Sequence, residues 1–265
     1  PEGFWPQAGI VIGSLVVLVG LSVNSSLRRH RRATLLMSGL SLLILAGLFI
    51  GYPYLTQFDQ GLIALVQEHR DPALDKIMVM VTQIGEFRAM FILSAVLTLL
   101  LLALRQWRQA AFAGATLLCT ALANTGSKWF FARVRPEVLS EPLTSFSMPS
   151  GHSSGSFALF LTLAVLAGRG QPPRMRLTWL LLGCLPAAAI ALSRVYLGAH
   201  WPTDILAGAM LAACVCAASL TLSQWQGPLK PMPARAWWLL LPVMLLMCGY
   251  MATRHLPHAL LRYAY

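Results

Sequence analysis

Residues 177–222 read LTWLLLGCLPAAAIALSRVYLGAHWPTDILAGAMLAACVCAASLTL. The stretch contains two apolar runs, at about 177–195 and 203–222, which are separated by a short polar link. A helix needs about 20 residues to cross the roughly 30 Å hydrocarbon core of a bilayer, so each run is long enough to span a membrane. Pro202 suits the first turn of the second helix, where the N–H that proline lacks has no partner anyway. The stretch therefore predicts two transmembrane helices joined by a polar loop.

The whole chain has the composition that this stretch suggests. Of its 265 residues, 57% are apolar and 11% are charged. Soluble domains average about 45–50% apolar and about 25% charged residues. A soluble fold of this size could not bury so much apolar surface, which excludes a soluble globule, a disordered tail and a disulfide-stabilised secreted domain. The five cysteines all lie in apolar runs and show no framework spacing.

Apolar runs recur along the chain at lengths suited to membrane spans. The eight candidates lie at about 8–24, 33–52, 88–105, 110–127, 153–168, 177–195, 203–222 and 236–252. The intervening segment 53–87 mixes apolar and acidic residues, which predicts short helices lying along the membrane interface. We therefore expect an all-α fold, a polytopic transmembrane helical bundle.

Basic residues are distributed unevenly between the loops, in a chain with 20 basic and 9 acidic residues and a net charge of +11. One alternating set of loops contains no acid and eleven basic residues, namely Arg28, Arg29, Arg31, Arg32, Arg105, Arg108, Arg169, Arg174, Arg176, Lys230 and Arg235. Because basic loops remain cytoplasmic, both termini and the loops 128–152 and 194–204 are predicted to lie outside. Membrane orientation thus explains the charge, and no nucleic-acid partner is expected.

Three polar clusters lie at predicted span ends on this outer face. They are Lys128-Trp-Phe-Phe-Ala-Arg-Val-Arg135-Pro136, Pro149-Ser150-Gly151-His152 and Ser193-Arg194-Val-Tyr-Leu-Gly-Ala-His200-Trp-Pro-Thr-Asp204. Singly, each has a structural explanation: cations that flank a span, a helix N-cap, and a carboxylate that complements a helix dipole. Together they supply cations, two histidines and a carboxylate at a membrane boundary, where charged groups are costly unless used or paired. Phosphoryl transfer by a histidine nucleophile requires such a set.

The three motifs Lys-x6-Arg-Pro, Pro-Ser-Gly-His and Ser-Arg-x5-His-x3-Asp, in this order, resemble those of the type 2 phosphatidic-acid phosphatase superfamily. That group includes lipid phosphate phosphatases, bacterial undecaprenyl-diphosphate and phosphatidylglycerophosphate phosphatases, and vanadium haloperoxidases. The resemblance implies a six-helix phosphatase core over residues 33–224. Residues 1–32 and 225–265 would each add one transmembrane helix to that core.

The resemblance also implies a role for each site residue. His200 resembles the nucleophile that forms a phosphohistidine, Asp204 the partner that orients it, and His152 the general acid for the leaving group. The implied phosphate-binding set is Lys128, Arg135, Ser150, Gly151 and Arg194. The family needs no metal and no cofactor, and the nearby basic residues would disfavour a bound cation.

These roles predict an integral-membrane phosphatase of the bacterial inner membrane that acts on a lipid phosphate at the periplasmic face. Undecaprenyl diphosphate is the preferred substrate, with phosphatidylglycerophosphate, phosphatidic acid and lipid A phosphate as alternatives. A lipid phosphotransferase and a membrane transporter are alternative functions. The chain begins at Pro1 without an initiator Met, so a preceding membrane domain in a longer protein stays open, as does the oligomeric state.

A serine hydrolase is not expected, although Gly151-His-Ser153-Ser-Gly155 matches the pattern G-x-S-x-G. That pattern supports catalysis where a strand turns sharply into a helix. Here the motif leads directly into an apolar run, and the sequence shows no alternation of strands and helices. Ser153 is therefore predicted to be a structural residue.

Overall fold

The structure is a computed structural model that describes residues 32–139, 143–225 and 227–263. All regular secondary structure in these residues is helical, which confirms the predicted all-α class. The helices are α1 (Arg32–Gly51), α2 (Thr56–Glu68), α3 (Pro72–Ile84), α4 (Phe87–Ala103), α5 (Trp107–Phe131), α6 (Gly151–Ala167), α7 (Pro173–Tyr196), α8 (Pro202–Ser223), α9 (Ala234–Thr253) and α10 (Leu256–Arg262), with a 3-10 turn at Tyr52–Leu55.

The apolar runs predicted between residues 33 and 252 all appear as helices, with boundaries within four residues of those expected. The short helices predicted for 53–87 are α2 and α3. One of the larger differences is in α5, which continues to Phe131. Its last turns contain Asn124 and Lys128, whose polar side chains face the protein rather than lipid. The apolar run in the sequence therefore ends before the helix does. The predicted run at 8–24 lies outside the described residues.

Seven of the eight predicted runs lie in the described residues, and four or five of them fall in helical stretches with the length and composition of a membrane span. In the described part of the chain, four helical stretches are long and apolar enough to cross a membrane, namely Arg32–Glu68, Pro173–Tyr196, Pro202–Ser223 and Ala234–Thr253. Helices α3 and α4, bent by 48° at their junction, together make a possible fifth. Helix α6 is apolar but has only 17 residues, and α5 has buried polar residues along its inner face. The chain is thus a multi-pass membrane protein with some of its helices shielded inside the bundle.

Helix α6 lies at the centre of the bundle and packs on α5, α7 and α8. The core around it is formed by buried apolar side chains, and six of them are at most 1% exposed, namely Leu93, Leu97, Phe112, Leu159, Leu166 and Leu240. Helix α9, predicted as an addition to the six-helix core, packs on α3 and α4, and α10 packs on α3. The C-terminal helices therefore cover the same side of the bundle as α3.

Gly208 allows α8 to approach the start of α6 closely. A Cβ atom built at Gly208 would lie 2.7 Å from the carbonyl oxygen of Ser150 and 2.9 Å from Cβ of Ser153. Both are closer than real Cβ contacts, and the first is to backbone, which cannot move aside as a side chain would. Because Gly208 has no side chain, Ser150 and the N-terminus of α6 can lie directly against α8.

Candidate active site

The three polar clusters meet at one end of the bundle. Lys128 is in the last turn of α5, Gly151 and His152 begin α6, and His200 lies in the link between α7 and α8. A cavity of about 950 Å³ opens there. Six of the eight predicted site residues line its wall: Lys128, Arg135, Gly151, His152, Arg194 and His200. The folding of the chain thus brings together groups that are up to 72 residues apart in sequence.

His200 and Asp204 are four residues apart, and the turn that starts α8 brings their side chains together. Nδ1 of His200 lies 3.4 Å from Oδ2 of Asp204. On the other side of the ring, Nη1 of Arg135 lies 2.9 Å from Nε2 of His200. A guanidinium can only donate, so Nε2 accepts this hydrogen bond and the proton of a neutral imidazole is on Nδ1, facing Asp204. In this tautomer the lone pair of Nε2 points at the Arg135 guanidinium, and both residues line the cavity.

Asp204 is fully buried and held by several donors. Oδ2 accepts hydrogen bonds from Oγ of Ser147 and, at 2.9 Å, from the backbone N–H of Trp201. Oδ1 accepts from Nη1 of Arg133 at 2.7 Å. Asp204 therefore also caps the N-terminus of α8, as the structural explanation of the motif proposed. These bonds fix the carboxylate in place, and with it the orientation available to His200.

Arg133 joins Asp204 to a second buried acid that the sequence did not single out. Nη2 of Arg133 donates to Oδ2 of Asp59 at 2.6 Å. Asp59 also accepts from the hydroxyl and the backbone N–H of Thr203, at 2.6 and 3.1 Å. Asp59 is 0% exposed, and a buried carboxylate of this kind needs a paired cation. The position of Arg133 inside the first motif was the only signal in the sequence, since Asp59 lies 74 residues away.

The electrostatic environment keeps His200 neutral. Burial lowers its pKa well below the usual value of 6.5, and the nearby cations Arg135 and Arg194 lower it further. Burial and the charge of Arg194 also lower the pKa of Arg135, to about 10, so Arg135 stays charged at neutral pH. The site thus combines an uncharged imidazole with fixed positive charge, an arrangement suited to an anionic substrate.

Arg194 lies at the end of α7 and is only 2% exposed. Its Nη1 donates to Oγ1 of Thr82 at 3.0 Å and to the hydroxyl of Tyr263 at 2.7 Å. Its Nε has no hydrogen-bond partner among the described residues. A buried N–H without a partner is costly, and phosphate oxygens are strong acceptors for a guanidinium. Arg194 also lines the cavity, so its guanidinium is positioned to contact a phosphate there.

The remaining predicted residues differ in what they contact. Lys128 points its Nζ at the backbone carbonyls of Phe146 and Ser147, which places the ammonium at the cavity wall. Ser150 is fully buried behind that wall, where Oγ accepts from the N–H of Ser153 and caps α6. Its predicted contact with phosphate stays a prediction. Ser153 is also buried and donates to the carbonyl of Ile205, as a structural residue would.

Gly85, between α3 and α4, gives His152 its space. A Cβ atom at Gly85 would lie 3.0 Å from Cδ2 of His152 and 2.4 Å from a methyl group of Ile190. The bend between the two helices therefore packs directly against the imidazole. No short motif marks Gly85, and its contact with His152 depends on tertiary structure alone.

An apolar arm of the cavity runs between α4 and α5, away from the charged end. Its wall includes Met90, Phe91, Leu118 and Ala121. Phe91 and Leu118 are 67% and 62% exposed on the outer surface of the bundle, where a membrane protein contacts lipid. The charged pocket is therefore continuous with a groove that faces the acyl-chain region of a bilayer.

The fold and the site define a multi-pass membrane protein with a cationic, histidine-containing pocket. Residues 109–228, which include all three motifs, match the PAP2 superfamily. The chain is 29% identical over 184 residues to an undecaprenyl-diphosphatase of Sulfolobus acidocaldarius, covering 65% of this chain and 82% of that protein. It is 34% identical over 93 residues to phosphatidylglycerophosphatase B of Bacillus subtilis, covering 33% of this chain and 44% of that one.

A solved structure has the same architecture. The transmembrane PAP2-type phosphatidylglycerolphosphate phosphatase of Bacillus subtilis superposes with a TM-score of 0.60 at 22% identity, over 67% of this chain and 91% of that one. The superposition supports the fold. Residues 109–228 thus match the PAP2 superfamily, and the two relatives, both named as phosphatases, support a lipid phosphatase of the PAP2 type.

Proposed function

We propose that this protein hydrolyses a lipid diphosphate through a phosphohistidine formed on His200, and that undecaprenyl diphosphate is its substrate. The main support is the geometry of His200, whose Nδ1 faces Asp204 and whose Nε2 accepts a hydrogen bond from Arg135 at the wall of a cationic cavity. A buried carboxylate that fixes the imidazole tautomer is the arrangement that activates a histidine nitrogen. The continuous apolar groove supports a lipid rather than a soluble phosphate ester.

The chemistry proceeds in two steps. Nε2 of His200 attacks the terminal phosphorus, the bond from phosphorus to the bridging oxygen breaks, and His152 donates a proton to that oxygen as undecaprenyl phosphate leaves. Water then attacks the phosphohistidine while His152 takes its proton, and the P–N bond breaks to release inorganic phosphate. Arg135, Arg194 and Lys128 surround the phosphoryl oxygens and stabilise the charge that develops on them. On phosphate binding, Arg135 exchanges its contact with Nε2 for a phosphate oxygen, which frees the nucleophile.

Two observations favour a diphosphate. Four basic side chains line one cavity, namely Lys128, Arg135, Arg194 and Arg262, which is more than a single phosphate monoester requires. The relative aligned over 82% of its length is named an undecaprenyl-diphosphatase. The second relative is named a phosphatidylglycerophosphatase, and its lipid is the first alternative substrate. No metal step is proposed, because cations of the protein already occupy the positions around the phosphate.

The function is tested by phosphate release from the purified protein in detergent with EDTA. Undecaprenyl diphosphate, phosphatidylglycerophosphate, phosphatidic acid and lipid A are supplied in parallel. We expect the diphosphate to be hydrolysed fastest, and His200→Ala to lose at least about 1,000-fold in kcat, as enzymes do without their nucleophile. His69→Ala, which removes an exposed histidine elsewhere, is the matched control.

Three results would contradict the proposal. Dependence on an added metal ion would exclude the mechanism, and preference for another lipid would exclude the substrate. Transfer of phosphate to an added lipid acceptor without release of inorganic phosphate would identify a phosphotransferase instead.

The proposal places the active site on the periplasmic face of the inner membrane. The end of the bundle opposite the cavity carries basic residues, among them Arg105 and Arg174. This end is predicted to be cytoplasmic. Intact cells are expected to hydrolyse a membrane-impermeant phosphatase substrate only when the protein is expressed. Activity seen only after the membrane is made permeable would reverse this orientation.

A further inference from the structure

The C-terminal helix α10 contributes a side chain to the phosphate site, although it lies outside the segment that matches the PAP2 superfamily. Tyr263, directly after α10, is 7% exposed and lines the cavity. Its hydroxyl lies 2.7 Å from Nη1 of Arg194, and its ring lies 5.3 Å from the centre of that guanidinium. One side chain thus contacts Arg194 both as a hydrogen-bond acceptor and as an aromatic surface.

Tyr263 is itself held firmly. Its ring packs in a buried cluster with Val79, Leu197 and Ala199, which joins α3 to the link between α7 and α8. Its backbone carbonyl accepts a hydrogen bond from Arg70 at 3.3 Å, and Arg70 is paired with Asp75 at 3.0 Å. The hydroxyl therefore occupies a defined position, which is what a residue that orients another side chain requires.

Among the described residues, the hydrogen bonds to the Arg194 guanidinium come from one side of the group. Tyr263 and Thr82 both accept from Nη1, and both lie outside residues 109–228. Nε is buried and has no partner in the described part of the chain. Fixing Nη1 fixes the plane of the guanidinium, because the group is rigid and planar. The rest of the guanidinium, on a residue that lines the cavity, then also has a defined orientation.

We infer that Tyr263 is a positioning residue that holds the Arg194 guanidinium in the orientation that binds the phosphoryl group. The inference rests on the proposed function, and it extends the active site of this chain beyond the PAP2 segment to its C-terminal helix. Tyr263 acts through Arg194, so it is expected to affect oxyanion binding and turnover without touching the lipid tail.

The test compares the Tyr263→Phe variant with the wild-type protein, both as the full chain in detergent. Orthovanadate is the phosphate probe. The change removes the hydroxyl and keeps the ring in its cluster. The variant loses a hydrogen bond to a charged group, so we expect it to bind orthovanadate about 10-fold more weakly than wild type, as measured by calorimetry. Its kcat/KM is expected to be about 10-fold lower. The melting temperature is expected to stay within about 2 °C of wild type, because the ring still packs. Tyr250→Phe, an exposed tyrosine in α9, is the matched control.

A second pair of variants separates positioning from a general structural effect. In an Arg194→Lys background, Tyr263→Phe is expected to cause no further loss of orthovanadate binding, because the ammonium lacks the planar group that the hydroxyl orients. An equal 10-fold loss in both backgrounds would overturn the inference, as would unchanged orthovanadate binding in Tyr263→Phe.

The outcomes also separate this inference from the proposed function. If the wild-type protein neither releases phosphate from any of the four lipids nor binds orthovanadate, the proposed function fails. If wild type does both and Tyr263→Phe behaves like wild type, the function stands and only the role of Tyr263 is wrong.

Discussion

At the scale of single residues, the site works by keeping an imidazole neutral in a positive field. His200 is buried beside Arg135, and both burial and this charge lower its pKa well below 6.5. A nucleophilic histidine must be unprotonated at Nε2, so the low pKa keeps it active at neutral and mildly acidic pH. Under the proposed function, the cations that contact phosphate therefore also keep the proposed nucleophile unprotonated.

This coupling predicts how the pH profile responds to Arg135→Gln. Removing a positive neighbour favours the protonated imidazole, so the pKa of His200 rises and the acid limb of kcat/KM moves to higher pH. The measurement is kcat/KM against pH for the preferred lipid, in which the acid limb of the wild type is expected below pH 6.5. Arg174→Gln, at the opposite end of α7, is the control, and it is expected to change neither the activity nor the pH of the acid limb. An acid limb that stays in place in Arg135→Gln would contradict the coupling.

Local patterns could predict some of these residues and not others. The contact between His200 and Asp204 was expected, because the resemblance implies that Asp204 orients His200. Arg133 was inside a motif, yet its role depends on Asp59, and a contact across 74 residues leaves no trace in one sequence. Tyr263 carries no motif at all. The side chain of Ser150, which is predicted to contact phosphate, also caps α6.

At the scale of elements, close contact between α8 and α6 positions the start of α6 in the site. The apolar pattern predicted both helices to within a few residues, since lipid-facing and core-facing side chains are both apolar in a membrane bundle. It could not predict which glycine lies at a helix contact. Gly47 and Gly208 both interrupt apolar runs, but of the two only Gly208 has backbone atoms within 3 Å of the position that a Cβ atom would take.

Replacement by alanine is expected to affect stability differently at these two glycines. Gly208→Ala forces a Cβ atom against the carbonyl of Ser150, so α8 and α6 must separate, with a loss of about 1–3 kcal/mol in stability and a fall in kcat. Gly47→Ala adds a methyl group in open space within α1 and is expected to be neutral or slightly stabilising. Melting temperature and phosphate release in detergent measure both effects. Equal behaviour of the two variants would show that the contact at Gly208 does not position α6.

At the scale of the whole molecule, the protein combines a charged pocket with a groove open to lipid. The pocket is formed from all three motifs, whereas the groove is formed by α4 and α5. A lipid could thus place its phosphate beside His200 while its tail stays in the bilayer. The motifs predicted the pocket, but the groove depends on how helices pack and could not be predicted from their sequences.

Ala121→Trp tests the groove. Ala121 lies on the apolar wall, and an indole there would fill the space between α4 and α5. We expect KM for the long-chain lipid to rise at least about 10-fold, with little change for a short, water-soluble phosphate ester that needs only the pocket. Ala189→Trp, on the exposed surface of α7, is the control. Equal losses for both substrates would mean that the substitution damages the pocket and that the groove does not hold the tail.

If phosphate passes through His200, a phosphohistidine forms on that residue during turnover. Trapping this phosphohistidine is the most direct test of the mechanism. Purified protein is mixed with undecaprenyl diphosphate carrying a radioactive terminal phosphate, quenched in alkali within milliseconds and digested for mass spectrometry. We predict a phosphoryl group on the peptide that contains His200, formed and lost at rates consistent with turnover, and absent from His200→Ala. Label on another residue, or full turnover by His200→Ala, would contradict the mechanism.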